Sequence, residues 1–249
     1  MQTKILWPWE LPEVLDGIAV IADVWAATTN ITTFLTKDTK NLLIVNINNV
    51  QKAKNKYRDA LTIGESLKLS KNFFDASNYP TEIEKIDVKN KTILYMSNNG
   101  SRIIELVFKK KAKRVITVSF TNITSVCEYL DSLKENIYLI PAGEITHTDR
   151  KADEDLICIE SLDKMLKGEN VDLYKAQKNV QSRIRANYAN ENFNRDLNFK
   201  IVFNLDSSKV VPICSQETER LDKSNTPISN LVHRLRCLKL KIYLATKRA

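Results

Sequence analysis

The feature of this sequence that most constrains its fold is an apolar run near the N-terminus, which ends in one carboxylate and a pair of hydroxyls. The run, IAVIADVWAATT, covers residues 18–29 and follows Gly17. Because it is short, unbroken and rich in β-branched residues, it predicts a strand that is buried on both faces. Residues 28–37 follow as a predicted helix, whose start Thr28 or Thr29 is available to cap.

The carboxylate in this run is Asp23, which lies between the predicted strand and the predicted helix. A carboxylate at the end of a buried strand, facing the N-terminus of a helix, suits a site for a metal or a phosphate. The same position also suits a residue that only caps the helix. The sequence leaves both interpretations open.

Strand and helix patterns alternate along the rest of the chain. Further strands are predicted over residues 42–47, 61–66, 91–96, 114–119 and 136–140. Helices are predicted over residues 50–60, 102–111 and 172–190. Another predicted helix follows Asn122 and ends at residue 133, and a further one begins at Asp153 or Asp155 and ends at residue 167. Residues 199–203, Asp206 and residues 210–213 are predicted to add one more pairing element. This alternation predicts an α/β protein, a three-layer α/β/α arrangement with a mostly parallel sheet.

The chain has 249 residues, of which 43% are hydrophobic, enough to bury a core in one large domain or two α/β lobes. We expect an α/β domain over residues 1–214 and a basic segment over residues 215–249. That segment has eight Lys and Arg against three Asp and Glu, and so carries five of the eight net positive charges. Its apolar residues fit a helix over residues 228–238 or a strand over 238–244.

A basic amphipathic segment can bind membranes or nucleic acid, but it is more often a solvated face packed on its own domain. We therefore expect no membrane partner and weigh against a nucleic-acid partner, and we leave a homo-oligomer open. No stretch approaches the roughly 18 apolar residues of a membrane helix, and residues 1–10 lack the pattern of a secretion signal. The expected location is the cytoplasm.

The four cysteines are scattered, and only two histidines accompany them. They are Cys127, Cys158, Cys214 and Cys237. Because no two of them have the spacing of a zinc or redox pair, thiols in the core are favoured over a disulfide or a metal set.

Polar or small residues follow most of the predicted strands. They are Asp23, Gly64 with Glu65, residues 99–101, Ser119 with Asn122, and residues 142–144. In a parallel sheet, ligands bind beyond the carboxyl ends of the strands. Amides at the helix starts can hold an anion there, and Asp23, Glu65 and Glu154 or Asp155 can hold a hard cation. Such a site suits phosphoryl transfer, although polar loops are also ordinary in this class of fold.

Taken in order, a set of segments resembles the 2-phosphosulfolactate phosphatase family, magnesium-dependent enzymes of coenzyme M biosynthesis with an α/β/α fold. The matching segments are residues 23–29, 64–65, 77–80, 98–101, 119–122, 142–143 and 154–158, with Asp206 and residues 210–212 near the end. The resemblance covers residues 15–214 and leaves out the basic segment.

The resemblance implies a Mg²⁺-dependent phosphatase that hydrolyses the phosphate ester of a small 2-hydroxy acid, with 2-phosphosulfolactate as the family substrate. It implies Asp23, Glu154 and Asp155 as metal ligands, and Asp23 and Glu65 as catalytic residues. Glu65 is the candidate to orient or deprotonate the attacking water. The implied substrate-binding residues are Thr28, Thr29, Asn99, Gly100, Ser101, Ser119, Asn122 and Gly143.

Two of the positions at which the chain departs from the family pattern concern an arginine. The family normally has an arginine where this chain has Ala26, and another where it has Ser66. An arginine is a permanently charged, bidentate clamp for an anion, and neither alanine nor serine replaces it. The alternative hypothesis is therefore a non-catalytic member of the family that acts as a binding or assembly module.

Overall fold

Nine strands in two blocks form the framework of the protein in its computed structural model, which describes residues 2–66, 68–143, 152–187, 195–216 and 236–242. The strands are Thr3–Ile5 (β1), Ile18–Ala22 (β2), Asn41–Ile44 (β3), Leu61–Gly64 (β4), Thr92–Met96 (β5), Arg114–Val118 (β6), Ile137–Pro141 (β7), Val210–Gln216 (β8) and Arg236–Ile242 (β9). Their order in the sheet is β1-β7-β2-β6-β8-β9-β3-β5-β4.

Among the described strands, every neighbouring pair is parallel except β6 and β8. That antiparallel pair divides the sheet into a first block, β1-β7-β2-β6, and a second block, β8-β9-β3-β5-β4. The helices are Ala27–Thr36 (α1), Val50–Lys56 (α2), Pro80–Lys85 (α3), Gly100–Lys109 (α4), Ile123–Leu133 (α5), Asp153–Leu166 (α6), Leu173–Asn187 (α7) and Arg195–Val202 (α8). The predicted α/β class with a mostly parallel sheet and helices on both faces is confirmed.

Helices α1 and α4 pack between the two blocks of strands. On β2, Ile21 points into a hydrophobic cluster that also contains Phe34 of α1 and Ile104 of α4. Ile93 and Tyr95 of β5 in the second block belong to the same cluster. Because both blocks share this layer of helices, the carboxyl ends of β2, β4 and β5 come together at the starts of α1 and α4.

The outer faces of the two blocks are covered by other helices. Alternate residues of β2 point away from the shared layer and pack with residues of α5 and α6, such as Val126 and Leu162. In the second block, Leu94 and Met96 of β5 pack with Val50 of α2. Alternation along a strand buried on both faces produces this arrangement.

The prediction of a pairing element over residues 199–203 is wrong, because these residues lie at the end of α8. Phe199, Val202 and Phe203 are all buried and are spaced three and four residues apart, which is the period of a helix. The Phe199 ring stacks on Phe203 and lies 5.1 Å from the ring of Trp25. The predicted strand at residues 210–213 is confirmed as part of β8.

The basic segment contributes a strand to the sheet. Strand β9 pairs in parallel with the whole of β8, with Val210 opposite Arg236 and Gln216 opposite Ile242. Of the two patterns in this segment, the strand is the one found over residues 236–242. Most of the alternative helix over residues 228–238 lies outside the described residues, and the domain boundary at residue 214 stays a prediction.

The cysteines that the structure describes carry free thiols. Cys158 and Cys214 are buried and Cys127 is half-buried, which agrees with the predicted core thiols. The side chain of Cys237 is not among those described.

Within the described part of the chain, no helix combines the length and the apolar character needed to cross a membrane.

Gly64, the last residue of β4, offers a test of how the second block is held together. Its φ is +145°, and a Cβ placed there would lie 1.9 Å from the carbonyl oxygen of Met96 in β5. We expect Gly64→Ala to lower the free energy of unfolding by more than about 2 kcal/mol, because the added methyl forces β4 and β5 apart. Chemical denaturation measures the change.

Gly168→Ala is the matched control for this substitution. Gly168 has a φ of +77° but nothing within 4 Å of an added Cβ, so only backbone strain of about 1 kcal/mol is expected. Equal effects of the two substitutions would contradict the close contact between β4 and β5.

Candidate active site

Asp23 lies where the N-termini of two helices meet. The residue follows β2, and its carboxylate Oδ1 accepts a hydrogen bond of 3.4 Å from the backbone N–H of Ala27, the first residue of α1. The carboxylate also accepts the backbone N–H of Gly100, the first residue of α4. Only 7% of Asp23 is exposed. Asp23 therefore caps the starts of two helices.

Gly100 allows the two helices to approach this closely. A Cβ on Gly100 would lie 2.5 Å from the Cβ of Ala27 and 2.8 Å from Oδ2 of Asp23. Any side chain at this position would therefore separate α1 from α4 and displace the carboxylate. Gly100, a predicted substrate-binding residue, therefore sets how closely α1 and α4 approach each other at the site.

Thr28 and Thr29 do not cap α1, so that prediction is wrong. Helix α1 begins at Ala27, which places both threonines inside its first turn. The hydroxyl of Thr28 donates to the carbonyl of Asp23 at 2.9 Å, and that of Thr29 donates to the carbonyl of Val24 at 2.9 Å. Both residues are fully buried and fix the connection from β2 to α1. Their contact with a substrate stays a prediction.

Asp155 joins the ends of β2 and β7. It lies in the first turn of α6, where Oδ1 accepts the N–H of Val24 at 2.7 Å and Oδ2 accepts the N–H of Gly143 at 3.0 Å. Because each oxygen is already bonded to a backbone amide and only 3% of the residue is exposed, Asp155 fits a bracing role better than that of a metal ligand. Gly143, a predicted substrate-binding residue, is one of the two hydrogen-bond partners of Asp155.

Glu65 follows β4 and faces Asp23 from the second block. Its backbone N–H donates to the carbonyl of Met96 at 3.0 Å, which continues the pairing of β4 with β5. Its carboxylate accepts hydrogen bonds from the backbone and side chain of Asn98 and from the side chain of Asn78. Unlike Asp23, Glu65 remains exposed to solvent. It is the carboxylate of this group that water can reach most easily.

The carboxylates raise one another's pKa. Burial raises the pKa of Asp23 to about 7, the charges of Glu65 and Glu154 add to the rise, and the amides of Ala27 and Gly100 oppose it. Burial likewise raises the pKa of Asp155 well above its usual range, helped by the charges of Glu154 and Asp23. Partial burial also raises the pKa of Glu65, and its hydrogen bonds with Asn98 and Asn78 oppose the rise. The group therefore favours a proton or a cation at neutral pH.

The carboxylates around Asp23 can supply two ligands to Mg²⁺. No three His, Cys, Asp or Glu side chains within the described ranges are arranged to hold a metal ion together. Mg²⁺, however, is usually held by one or two carboxylates together with a substrate phosphate and waters. Asp23 with Glu65 or Glu154 would supply such a pair, so the residues present are compatible with Mg²⁺ bound alongside a phosphate.

A buried polar network that sequence analysis did not assign lies behind Glu65. The hydroxyl of Tyr95 donates to Oδ1 of Asn78, and the side-chain amide of Asn30 donates to the carbonyl of Asn78 at 2.9 Å. Asn78 in turn donates to Glu65. Asn30 lies in α1 and Tyr95 lies in β5, and the sequence around them gives no sign of a function. Only Asn78, in the segment of residues 77–80 that resembles the family, was indicated by the sequence.

Ser101 and Asn99 lie at the start of α4. The hydroxyl of Ser101 accepts the N–H of Ser97, and the hydroxyl of Ser97 accepts the N–H of Ser101, both at 3.0 Å. Asn99 is half-buried, and among the described residues its Oδ1 has no hydrogen-bond partner. These contacts fix the helix start next to Asp23 and leave the predicted binding roles as predictions.

Ser119 and Asn122 hold the end of β6 to β8. The side chain of Asn122 accepts the N–H of Ser119 at 2.9 Å and donates to the carbonyl of Val210 at 3.0 Å. The hydroxyl of Ser119 pairs with that of Thr121 at 2.7 Å. Both predicted binding residues are fully buried, and these hydrogen bonds give them a structural role instead of linking them to the carboxylates.

Comparison with known proteins shows which family this chain is similar to. The family model for 2-phosphosulpholactate phosphatase matches residues 6–218. The chain is similar to probable 2-phosphosulfolactate phosphatases of three organisms. It is 33% identical to that of Thermotoga petrophila over 126 residues, 50% of this chain and 53% of that protein. It is 27% identical to that of Clostridium perfringens strain SM101 over 212 residues, 82% of this chain and 83% of that protein.

The third relative, from Thermoplasma acidophilum, is 25% identical over 198 residues, 78% of this chain and 84% of that protein. The chain spans about half the length of the Thermotoga relatives that it matches, at 53% of each.

The raised pKa of Asp23 predicts how stability depends on pH in the absence of metal. Between an unfolded pKa near 3.8 and a folded pKa of about 7, the folded state keeps a proton that the unfolded state has released. The free energy of unfolding therefore falls as pH rises through this window, by at most about 1.4 kcal/mol per pH unit from this group. We expect the fall from pH 5 to pH 8 to be smaller in Asp23→Asn.

Thermal unfolding at both pH values measures this difference. Asp131→Asn, which changes an exposed carboxylate on α5, is the control and should behave like the wild type. An identical dependence on pH in wild type and Asp23→Asn would contradict the buried, shifted carboxylate.

Proposed function

Because the chain belongs to the 2-phosphosulfolactate phosphatase family, we propose that it is a phosphoric monoester hydrolase that requires Mg²⁺. Its proposed substrate is the phosphate ester of a small 2-hydroxy acid, the class of compound to which 2-phosphosulfolactate belongs. The observation that carries the proposal is the position of Asp23, held between two helix N-termini and beside Glu65 and Glu154.

The starts of α1 and α4 supply the side of the site that favours an anion. Each helix has 10 residues, and the partial positive charge at its N-terminus attracts a phosphate. The carboxylates of Asp23 and Glu65 would repel the same phosphate. Mg²⁺ bound here would neutralise the charges of the phosphate and of these carboxylates, and Asp23 with Glu154 would hold it.

Glu65 is the residue best placed to act on water. Glu65 is exposed to solvent as a residue, and the hydrogen bonds that its carboxylate accepts from Asn98 and Asn78 fix its orientation. A raised pKa brings a carboxylate closer to the range in which it accepts a proton efficiently at neutral pH. We propose that Glu65 accepts the proton of the water that attacks phosphorus, while Tyr95 and Asn30 keep Asn78 in place.

A second candidate function is a non-catalytic binding or assembly module. It is favoured by the sequence at Ala26 and Ser66, which bring no positive charge to the site. Ala26 is buried, and the hydroxyl of Ser66 accepts the N–H of Lys68 at 3.1 Å. The two functions differ in whether a folded protein releases phosphate.

Phosphate release with Mg²⁺, and with the ion removed by a chelator, tests the proposal. We expect release from a phosphorylated 2-hydroxy acid only with the ion present, and a fall in kcat of about 10²- to 10⁴-fold in Glu65→Gln, since proton transfer to the carboxylate is lost. Glu128→Gln, an exposed change on α5, is the matched control and should keep the wild-type kcat.

Full activity in Glu65→Gln would contradict the role of that carboxylate. Activity that the chelator does not alter would contradict the role of Mg²⁺. No release from a protein that shows a cooperative unfolding transition would contradict the phosphatase proposal and favour the non-catalytic module.

A further inference from the structure

We infer that the substrate's side group, the part of the 2-hydroxy acid beyond its carboxylate and its phosphate, is apolar and uncharged and binds in a cavity beside Glu65. This inference rests on the proposed function and narrows the substrate class for the same site. It separates this chain from an enzyme that selects a sulfonate or a second carboxylate at that position.

The cavity has a volume of about 500 Å³. This lies within the range of small-molecule sites, roughly 300–1,000 Å³. Leu69, Phe74, Ala76 and Tyr79 form its apolar wall. A cavity of this size with an apolar wall suits a ring or a branched hydrocarbon chain.

Glu65 connects the cavity to the carboxylate group. Glu65 lines the cavity together with Asn98, and its charge also acts on Asp23. Glu65 therefore belongs both to the lining of the cavity and to the surroundings of Asp23, which lies at the starts of α1 and α4. The side group of a small phosphate ester can reach the cavity while its phosphate stays near Asp23.

The charges around the cavity disfavour an anionic side group. Glu65 and Glu82 both line it, whereas no Lys, Arg or His is among the described residues that do so. A sulfonate in this space would meet the carboxylates of Glu65 and Glu82, and like charges repel one another strongly at short range where water is partly excluded. An uncharged apolar group meets no such repulsion and gains contact with the wall.

The wall of the cavity is held in place before any ligand binds. The N–H of Gly64 donates to the carbonyl of Ala76 at 3.0 Å, and the N–H of Thr62 donates to Oδ2 of Asp75 at 2.7 Å. The N–H of Ser77 donates to Oε2 of Glu82 at 2.9 Å. Because these bonds fix the residues around Phe74 and Ala76, the apolar surface is preorganised for a ligand.

Two substrates that differ only in the side group test this inference. We would compare kcat/KM for O-phospho-3-phenyllactate, which has an apolar ring, with kcat/KM for 2-phosphosulfolactate, which has a sulfonate. In the presence of Mg²⁺ we expect the wild type to favour the phenyl ester by about tenfold or more, since both esters share the phosphate and the carboxylate. A preference for the sulfonate ester, or none, would overturn the inference.

Ser66→Arg supplies an independent test, because Ser66 lines the cavity and the substitution adds a cation there. We expect the preference for the phenyl ester to fall by about tenfold in this variant. Asn72→Arg adds the same charge at an exposed position of the same segment, outside the lining of the cavity, and should leave the preference unchanged. An equal effect of the two variants would overturn the inference.

The comparison of wild-type preferences does not depend on how well Ser66→Arg folds. If the wild type releases no phosphate from either ester or from p-nitrophenyl phosphate, the proposed function fails. Calorimetric binding of the same two esters to the wild type then decides the inference by itself. Binding of the phenyl ester that is about tenfold tighter upholds it, and equal or weaker binding of that ester, or no binding, overturns it.

Discussion

The site depends on the close approach of the starts of α1 and α4 around one buried carboxylate. Gly100 permits the contact because a Cβ would overlap Ala27 and Asp23. The amides of both helices then stabilise the charge of Asp23, while burial and neighbouring carboxylates destabilise it, and the second effect is the larger because the pKa of Asp23 rises to about 7. The fold thus holds a carboxylate in a position where a cation would be favoured.

Both blocks of strands contribute to this arrangement. Asp23 follows β2 in the first block, Asp155 of α6 braces the ends of β2 and β7, and Glu65 follows β4 in the second block. The shared layer formed by α1 and α4 brings the two blocks together. Asn30 of α1 and Tyr95 of β5 meet at Asn78 and so continue the connection behind Glu65. Catalysis by positioning and charge neutralisation needs this kind of rigid support.

Much of the fold and the identity of the carboxylates could be predicted from local patterns in the sequence. The alternation of strands and helices indicated the α/β class, and Asp23 and Glu65 were marked by their positions after strands. The antiparallel pairing of β6 with β8 joins segments distant in the chain and has no local signal. Asn122 was predicted to bind substrate, but its side-chain amide binds the backbone of β8. An asparagine that binds backbone and one that binds a ligand look the same in the local sequence. The four-residue spacing of Phe199 and Phe203 fits a strand as well as a helix, and only their burial in the structure distinguishes the two.

We propose that the carboxylates around Asp23 bind a divalent cation, which calorimetric titration with Mg²⁺ at pH 8 can measure. We expect one Mg²⁺ to bind to the wild type, at least about tenfold weaker binding to Asp23→Asn, and unchanged binding to the surface variant Asp131→Asn. Absence of Mg²⁺ binding to the folded wild type, or equal affinity in wild type and Asp23→Asn, would contradict it.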